Sequence, residues 1–383
     1  MRILLLAPGV SIHSRRFLQM LLDSGHAVTL VDANDPKPGV QRAYQYIPYP
    51  GIFGLEKLGL RTINRLGERW KAFQLRRIWK RVQPDVVHVH WVDSRADHCA
   101  CAGLHPLVLS CWGSDINNLF APAQNDDQYR RRIVRALAAS DHVTADSPEV
   151  LERCELLAGR KLTTSLFYLG VNLDQFKPGN LRGSQLLRTR LDISPASRVI
   201  LSPRALRPLM GHHYVLEAFS RIANSPDVPH TVLVLKRYLA YANGYENRLK
   251  LQARKLGLEN RIRWLEASGN EEMPTEYTMA DVVVNYPEQD GFPVTLFEAA
   301  ACRRPVVTSD LRAYQPVFGE DALWTVPPAN PGRLAETLKA CLSEEPKARA
   351  TRLERAFQIV SERGDQRRCF APVTKLYGNL IGL

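Results

Sequence analysis

No stretch of the 383-residue chain approaches the ~20 consecutive apolar residues that a membrane-spanning helix needs. The protein can rest on a bilayer, but it is not expected to cross one. Met1 to Val10 is apolar, yet Pro8-Gly9 closes it before a signal peptide could be completed, so it reads as the first strand of a sheet. Export is not expected. The seven cysteines include no Cys-x-x-Cys pair, and Cys99-Ala-Cys101 lacks further ligands at zinc spacing, which together fit a reducing cytoplasm. The loop Pro8-Gly9-Val10-Ser11 is not Gly-x-Gly-x-x-Gly, and that argues against a dinucleotide cofactor. There is no internal repeat, no low-complexity segment and no nucleic-acid-binding motif.

What is present is enough chain for two α/β domains, with the 45% hydrophobic and 23% charged residues of a soluble globular protein. The net charge of +12 implies an acidic partner: anionic lipid, nucleic acid or the substrate itself. Without a recognition motif, nucleic acid is the weakest of these. Much of the charge falls on Leu55 to Val82, which follows the aromatic, proline-rich Tyr44 to Leu55 and carries nine Lys or Arg against Glu56 and Glu68. Its pattern predicts a helix with Ile63, Leu66, Trp70 and Phe73 on one face. The simpler expectation is that this stripe packs on the sheet while the basic face is solvated; the competing one is a surface that rests on anionic headgroups.

The chemistry is expected in Ala280 to Asp310. Val282, Val283 and Val284 form a β-branched run suited to a buried parallel strand, Tyr286 to Pro293 carries loop signals, and Thr295 to Cys302 is a run of helix formers. Pro305 to Thr308 supplies the next strand. The segment is thus a βαβ unit whose loop lies at the carboxyl end of a strand, where open α/β sheets bind ligands. A helix start there presents unpaired N–H groups to a phosphate. Asp290 and Glu298 flank that cradle, which suggests a ligand with hydroxyls on both sides of a diphosphate: a sugar nucleotide. The plainer alternatives are a Thr295-x-x-Glu298 capping box and an ordinary Asp290-Gly291 turn.

This stretch resembles the Glu-x7-Glu segment of the retaining glycosyltransferases of family four, with Asp290 in place of the first Glu and Gly291-Phe292-Pro293 after it. Leu169 to Gly179, with Gly170-Val171-Asn172 and Phe176-Lys177-Pro178, is similar to that family's passage into its second domain. The resemblance implies a GT-B fold: two Rossmann-like, doubly wound domains facing across a cleft. The expected boundaries are 1–170 on the acceptor side and 171–365 on the nucleotide-sugar side, with a linker near 170 to 197 and a final helix, 366–383, crossing back to the first domain.

The family's roles carry over position by position. Asp290 would contact the sugar, the loop and helix start Gly291-Phe292-Pro293-Val294-Thr295 would hold the diphosphate through the amides of all but Pro293, which has no N–H, and Glu298 would hold the ribose. Arg204, in the exit loop of the strand Arg198 to Ser202, aligns with an arginine at the donor diphosphate, so Asp290 and Arg204 are the expected catalytic pair. The lysine expected before Gly211 is Met210 here, and Arg207 or Lys236-Arg237 would have to fill its place; Lys236 is the residue assigned to the donor. Gly9 keeps one glycine of the pair the family often has in its first loop. On the acceptor side stand His13 just after that loop, His90 at the end of a strand where His88 is the satisfied core residue, and Asp115 in Trp112-Gly113-Ser114-Asp115, where the family commonly has His-Gly-x-Asp.

The expected function is transfer of a sugar from a nucleotide-sugar donor to a saccharide or lipid-linked saccharide, with retention, in bacterial surface polysaccharide or lipopolysaccharide assembly. The other common glycosyltransferase fold holds a metal with Asp-x-Asp; none occurs here, so neither metal nor cofactor is expected. Partners are the donor, the acceptor and an anionic membrane surface on the cytoplasmic side. The departures Trp112, Met210, Lys236 and Asp290 leave a catalytically weakened scaffold as the second reading, and a sugar-nucleotide epimerase or a phosphorylase as a third.

Overall fold

Short β-branched runs such as Val282–Asn285 satisfy their backbone groups by pairing side by side, and in the computed structural model these runs form two parallel sheets. The structure describes residues 1–9, 11–33, 43–51, 61–120, 126–238, 244–319 and 321–382, and of 61–65 the backbone alone. Val10, 55–60 and the side chain of Ile63, all named in the sequence reading, lie outside the described residues.

The chain divides into two compact units, Met1–Leu169 with Cys369–Leu383 and Gly170–Arg368. In the first, strands β1 (Arg2–Leu6), β2 (Ala27–Asp32), β3 (Gln45–Pro48), β4 (Val86–His90), β5 (Leu107–Cys111), β6 (His142–Ala145) and β7 (Thr164–Leu166) lie in the order β3-β2-β1-β4-β5-β6-β7. In the second, β8 (Arg198–Ser202), β9 (Thr231–Lys236), β10 (Ile262–Leu265), β11 (Val282–Asn285), β12 (Val306–Ser309) and β13 (Trp324–Val326) lie in the order β10-β9-β8-β11-β12-β13. The central strands are buried on both faces, which is why β1, β5 and β11 read as continuous apolar runs rather than alternating ones.

Each sheet reverses its winding once, between β1 and β4 in the first and between β8 and β11 in the second. At such a point the loops leaving the two strands turn to opposite faces and open a crevice. The loops after β8 and after β11, some eighty residues apart in sequence, therefore become neighbours. Gly211 shows how tightly they meet: its φ is +68°, and a Cβ there would lie 2.0 Å from the Tyr286 carbonyl oxygen. Only glycine fits.

Several elements depart from the sequence reading. β3 and β7 are short edge strands of four and three residues, too brief for a pattern to register; Pro48 is tolerated because it closes an edge strand. The helix Ser94–Cys101, started by Asp93 accepting the Arg95 amide, was not expected. The stretch expected as linker, 170 to 197, contains the helix Leu181–Arg190, capped by Asn180 and tied to the second unit by Arg188 at 3.1 Å from Asp281. At the far end, Val171 bridges Asp365, and in the helix Gln366–Leu380 Phe370 lies 5.4 Å from Phe17 while the Tyr377 hydroxyl is hydrogen bonded to His88.

The basic helix Arg61–Val82 overturns the packing expectation. Its sheet-facing side is made by Ala72 and Leu75, buried, with Trp79 and Val82 partly buried against the same core. Leu66, Trp70 and Phe73 point the other way and are 61%, 41% and 53% exposed. The second stripe, at Ala72, Leu75, Trp79 and Val82, has the same helical spacing and won the core.

Candidate functional site

The reversal between β8 and β11 builds a compact polar cluster in the second unit. Arg204, in the loop after β8, places Nη2 2.7 Å from Asp290 Oδ2 in the loop after β11, and the two side chains are only 15% and 16% exposed. Asp290 Oδ1 accepts the Gly291 amide at 3.1 Å, and Oδ2 also accepts the Tyr314 hydroxyl at 3.3 Å. Tyr314 in turn accepts from Asn285 Nδ2, which also donates to Thr308. Burial raises the Asp290 pKa, and Arg204 pulls back without cancelling the shift. For Arg204 burial is the largest single effect and works against the charge, but Asp290 together with Tyr314, Tyr238 and Tyr277 outweighs it and the pKa rises. Two Arg204 nitrogens lie 3.0 and 3.3 Å from the sulfur of Met210, the residue standing where a lysine was expected. The thioether is only a weak acceptor and carries no charge, so the guanidinium is paired by Asp290 and not by Met210.

The helix Val294–Ala301 follows. Its first N–H groups have no partner within the helix, and Pro293 at the N-cap offers no side-chain cap. The Thr295 hydroxyl oxygen is buried at this start without a hydrogen-bond partner. Thr295 is not the cap residue, so the capping-box alternative does not stand. Glu298, 4% exposed, instead accepts the Tyr277 hydroxyl at 2.8 Å. Phe292 is turned inward, 4.6 Å from Phe297 and 6.1 Å from Phe318. What the Gly291-Phe292-Pro293-Val294 passage can offer a ligand is therefore backbone, held in place by Phe292.

Two sequence assignments in this region are corrected. Lys236 is fully buried, with Nζ 2.6 Å from both carboxylate oxygens of Glu276 and hydrogen bonded to Ser268, so it does not project toward a donor. Arg237 is likewise engaged, by Glu246 at 2.7 Å and by Glu266. The signal at the end of β9 was local, whereas the partner Glu276 comes forty residues later on the helix Met273–Met279. Tyr277, Tyr314, Asn285 and Glu276 had been missed altogether; buried polar residues of the core carry no spacing that marks them.

The corresponding reversal in the first unit has other chemistry. His90, at the end of β4, is buried with neither ring nitrogen hydrogen bonded, its ring 4.1 Å from Phe17 and 5.3 Å from Trp112. Burial, then the nearby His88, Arg95 and His13, holds its pKa well below the usual value, so the ring is neutral. His13 stacks on Trp112 at 5.7 Å and 13°. His88 is the satisfied neighbour, bonded to Tyr377 and to Ser110. Gly9 and Asp115 are already engaged: the Gly9 amide donates to Asp32 at 2.8 Å, and the Asp115 carboxylate accepts the amides of Val92 and Trp112 at 2.9 and 3.1 Å. Both hold loops rather than present a group. Burial lifts the Asp115 pKa to about 6 in spite of those amides.

Among the described residues no three His, Cys, Asp or Glu side chains gather into a metal-ligand set, and no helix is long and apolar enough to cross a membrane.

The sequence profile described as "Glycosyl transferases group 1" matches residues 184–357, and that described as "Glycosyl transferase 4-like" matches residues 2–147. A D-inositol 3-phosphate glycosyltransferase of Corynebacterium jeikeium is 27% identical over 199 residues, 50% of this chain and 47% of the relative. One of Geodermatophilus obscurus is 30% identical over 235 residues, 59% of this chain and 52% of the relative. The chain spans about half the length of the curated relatives it matches. Among solved structures, an Anabaena protein in complex with UDP and glucose is similar over 99% of this chain and 100% of its own, with a TM-score of 0.78 at 19% identity. A sucrose-phosphate synthase from Thermosynechococcus elongatus is similar over 100% and 99%, with a TM-score of 0.77 at 17% identity. At these identities the likeness is one of fold, a two-domain α/β GT-B arrangement.

Proposed function

This chain belongs to the glycosyltransferases of family-four type, and we propose that it moves a sugar from a nucleotide-sugar donor to a saccharide or lipid-linked saccharide with retention of anomeric configuration. The observation that carries the reading is the Arg204–Asp290 pair at the β8/β11 reversal, beside the open helix start at Thr295. The leaving group of such a transfer is a nucleoside diphosphate, whose negative charge grows as the glycosidic bond breaks. Arg204, the amides of Phe292, Val294 and Thr295 and the helix dipole would stabilise that charge from fixed positions. Asp290 holds Arg204 in place and is the group we assign to the sugar; Glu298 is assigned to the ribose. The acceptor hydroxyl would attack from the side of the leaving diphosphate, which takes up its proton, so no carboxylate nucleophile is needed. With a fixed guanidinium at the diphosphate and no Asp-x-Asp in the sequence, we read the transfer as metal-independent.

UDP and glucose in the Anabaena structure support a nucleotide-sugar donor. His90 and the His13–Trp112 stack are assigned to the acceptor, since an aromatic face suits the apolar side of a sugar ring. We place the work in bacterial surface polysaccharide or lipopolysaccharide assembly, on the cytoplasmic side of the membrane. A panel of radiolabelled nucleotide sugars, incubated with the chain and membrane extract, tests this. Release of a nucleoside diphosphate from one donor, undiminished by EDTA and lost in Arg204→Ala, is expected. No release from any donor would leave a scaffold, and conversion of the donor without an acceptor would leave an epimerase or phosphorylase.

A further inference from the structure

We propose that the outer face of the helix Arg61–Val82 is a docking surface for an anionic lipid bilayer, entered by Leu66, Trp70 and Phe73 and held by the cations around them. This rests on the preceding reading only for the lipid-linked acceptor that makes such docking useful. At about 100° per residue, Leu66, Trp70, Phe73, Arg77 and Lys80 fall on one face, roughly opposite the buried Leu75. Trp70 and Phe73 stand side by side with ring centroids 5.8 Å apart, and both are exposed, as is Leu66.

The charges are arranged to match. Arg69, Arg76, Arg77, Lys80 and Arg81 are all exposed, and none has an ion-pair partner among the described residues. The one acid on this part of the helix, Glu68, is turned away from that face, bound to His98 at 2.9 Å and Arg132 at 2.7 Å. Those partners, His98 first, hold its pKa down at about 2, so it stays ionised within its own cluster. The outer face is thus apolar and cationic with no acid to neutralise it. An indole and a phenyl ring among arginines and lysines suit the headgroup zone, where rings enter the acyl boundary and cations meet lipid phosphates.

Topology adds a direction. The helix is the crossover between the parallel strands β3 and β4, so it runs back against the strands and begins at their carboxyl ends. Leu66 and Trp70, in its first half, are therefore nearer the edge of the sheet where His90 and Trp112 lie. A lipid-linked acceptor would be met at the same edge that touches the bilayer.

The test is co-sedimentation of the full chain with vesicles of phosphatidylglycerol and phosphatidylcholine, compared with phosphatidylcholine alone. Binding to the anionic vesicles is expected, weakened by salt. The triple variant Leu66→Ser/Trp70→Ser/Phe73→Ser should lower it more than ~10-fold, and Arg76→Gln/Arg77→Gln/Lys80→Gln about fivefold per cation removed. Melting temperature and nucleotide affinity should match wild type in both. Equal binding to neutral vesicles, or unchanged binding in both variants, would overturn the proposal. So would a wild-type dimer that the triple variant dissociates, because the occupant would then be a second copy. Lost nucleotide binding with vesicle binding intact would instead strike the transferase reading.

Discussion

The β8/β11 reversal is a charged place and the β1/β4 reversal an aromatic one, although strand order opens both in the same way. In the second unit Arg204, Asp290, Tyr314 and Asn285 satisfy one another in a chain of hydrogen bonds built on an ion pair. In the first unit Asp115 and Asp32 are consumed by backbone amides, and His90 is buried with neither ring nitrogen hydrogen bonded, among Phe17 and Trp112. The fold selects where a ligand can sit, whereas the side chains select its charge. On the proposed function, a diphosphate would take the first kind of site and a neutral sugar the second.

The sharpest way to break that contrast is to ask which charges in the second unit serve the ligand and which serve the fold. Lys236→Ala strands Glu276, 2% exposed, as an unpaired charge, and should cost about 3–5 kcal/mol of stability. Lys236→Met with Glu276→Leu should recover most of it, and denaturant unfolding reads both. Nucleotide affinity unchanged in the double variant would confirm Lys236 as structural; a lost affinity would return it to the donor. Arg204→Ala should lower turnover about 10²–10³-fold, as expected when a fixed transition-state donor is removed. Asp290→Asn should lower turnover ~10²-fold while keeping nucleotide affinity, because the diphosphate retains its cation. If steady-state kinetics and calorimetry show wild-type values for both variants, the pair is only a structural bridge.

The aromatic side of the comparison can be sharpened by pH. Asp115 has a folded pKa of about 6 against 3.8 in the unfolded chain, so between those values the folded state holds the extra proton. Stability should therefore fall as pH rises from about 4 to about 6 and level off above, by at most ~3 kcal/mol. Asp115→Asn, which stays neutral and keeps one oxygen to accept the Val92 amide, should flatten that slope in urea unfolding. A slope of the same size in the variant would assign it elsewhere. The smallest effect concerns Glu298. Glu298→Gln keeps an acceptor for Tyr277 and should leave the melting temperature unchanged, yet lower nucleotide affinity about tenfold through loss of a charge-assisted ribose bond. A lower melting temperature with full affinity would make Glu298 a core residue alone.

The sequence by itself determined the central strands, whose buried faces demand continuous apolar runs, and the loop and helix from Tyr286 to Cys302, whose Pro, Gly and helix-forming residues act over neighbouring positions. It also marked Arg204, Asp290 and Glu298, because a recognisable motif surrounds them. Only the tertiary structure decided that Arg204 and Asp290 are one ion pair: they are joined by a reversal of strand order, which no local pattern encodes. Lys236 failed for the same reason, since a lysine at a strand end looks alike whether it meets a phosphate or a glutamate folded in from forty residues away. The basic helix had two stripes of equal helical spacing, and only packing against the sheet could choose which was buried. Local sequence sets what each element can present, and the strand order and the competition for the core decide what it meets.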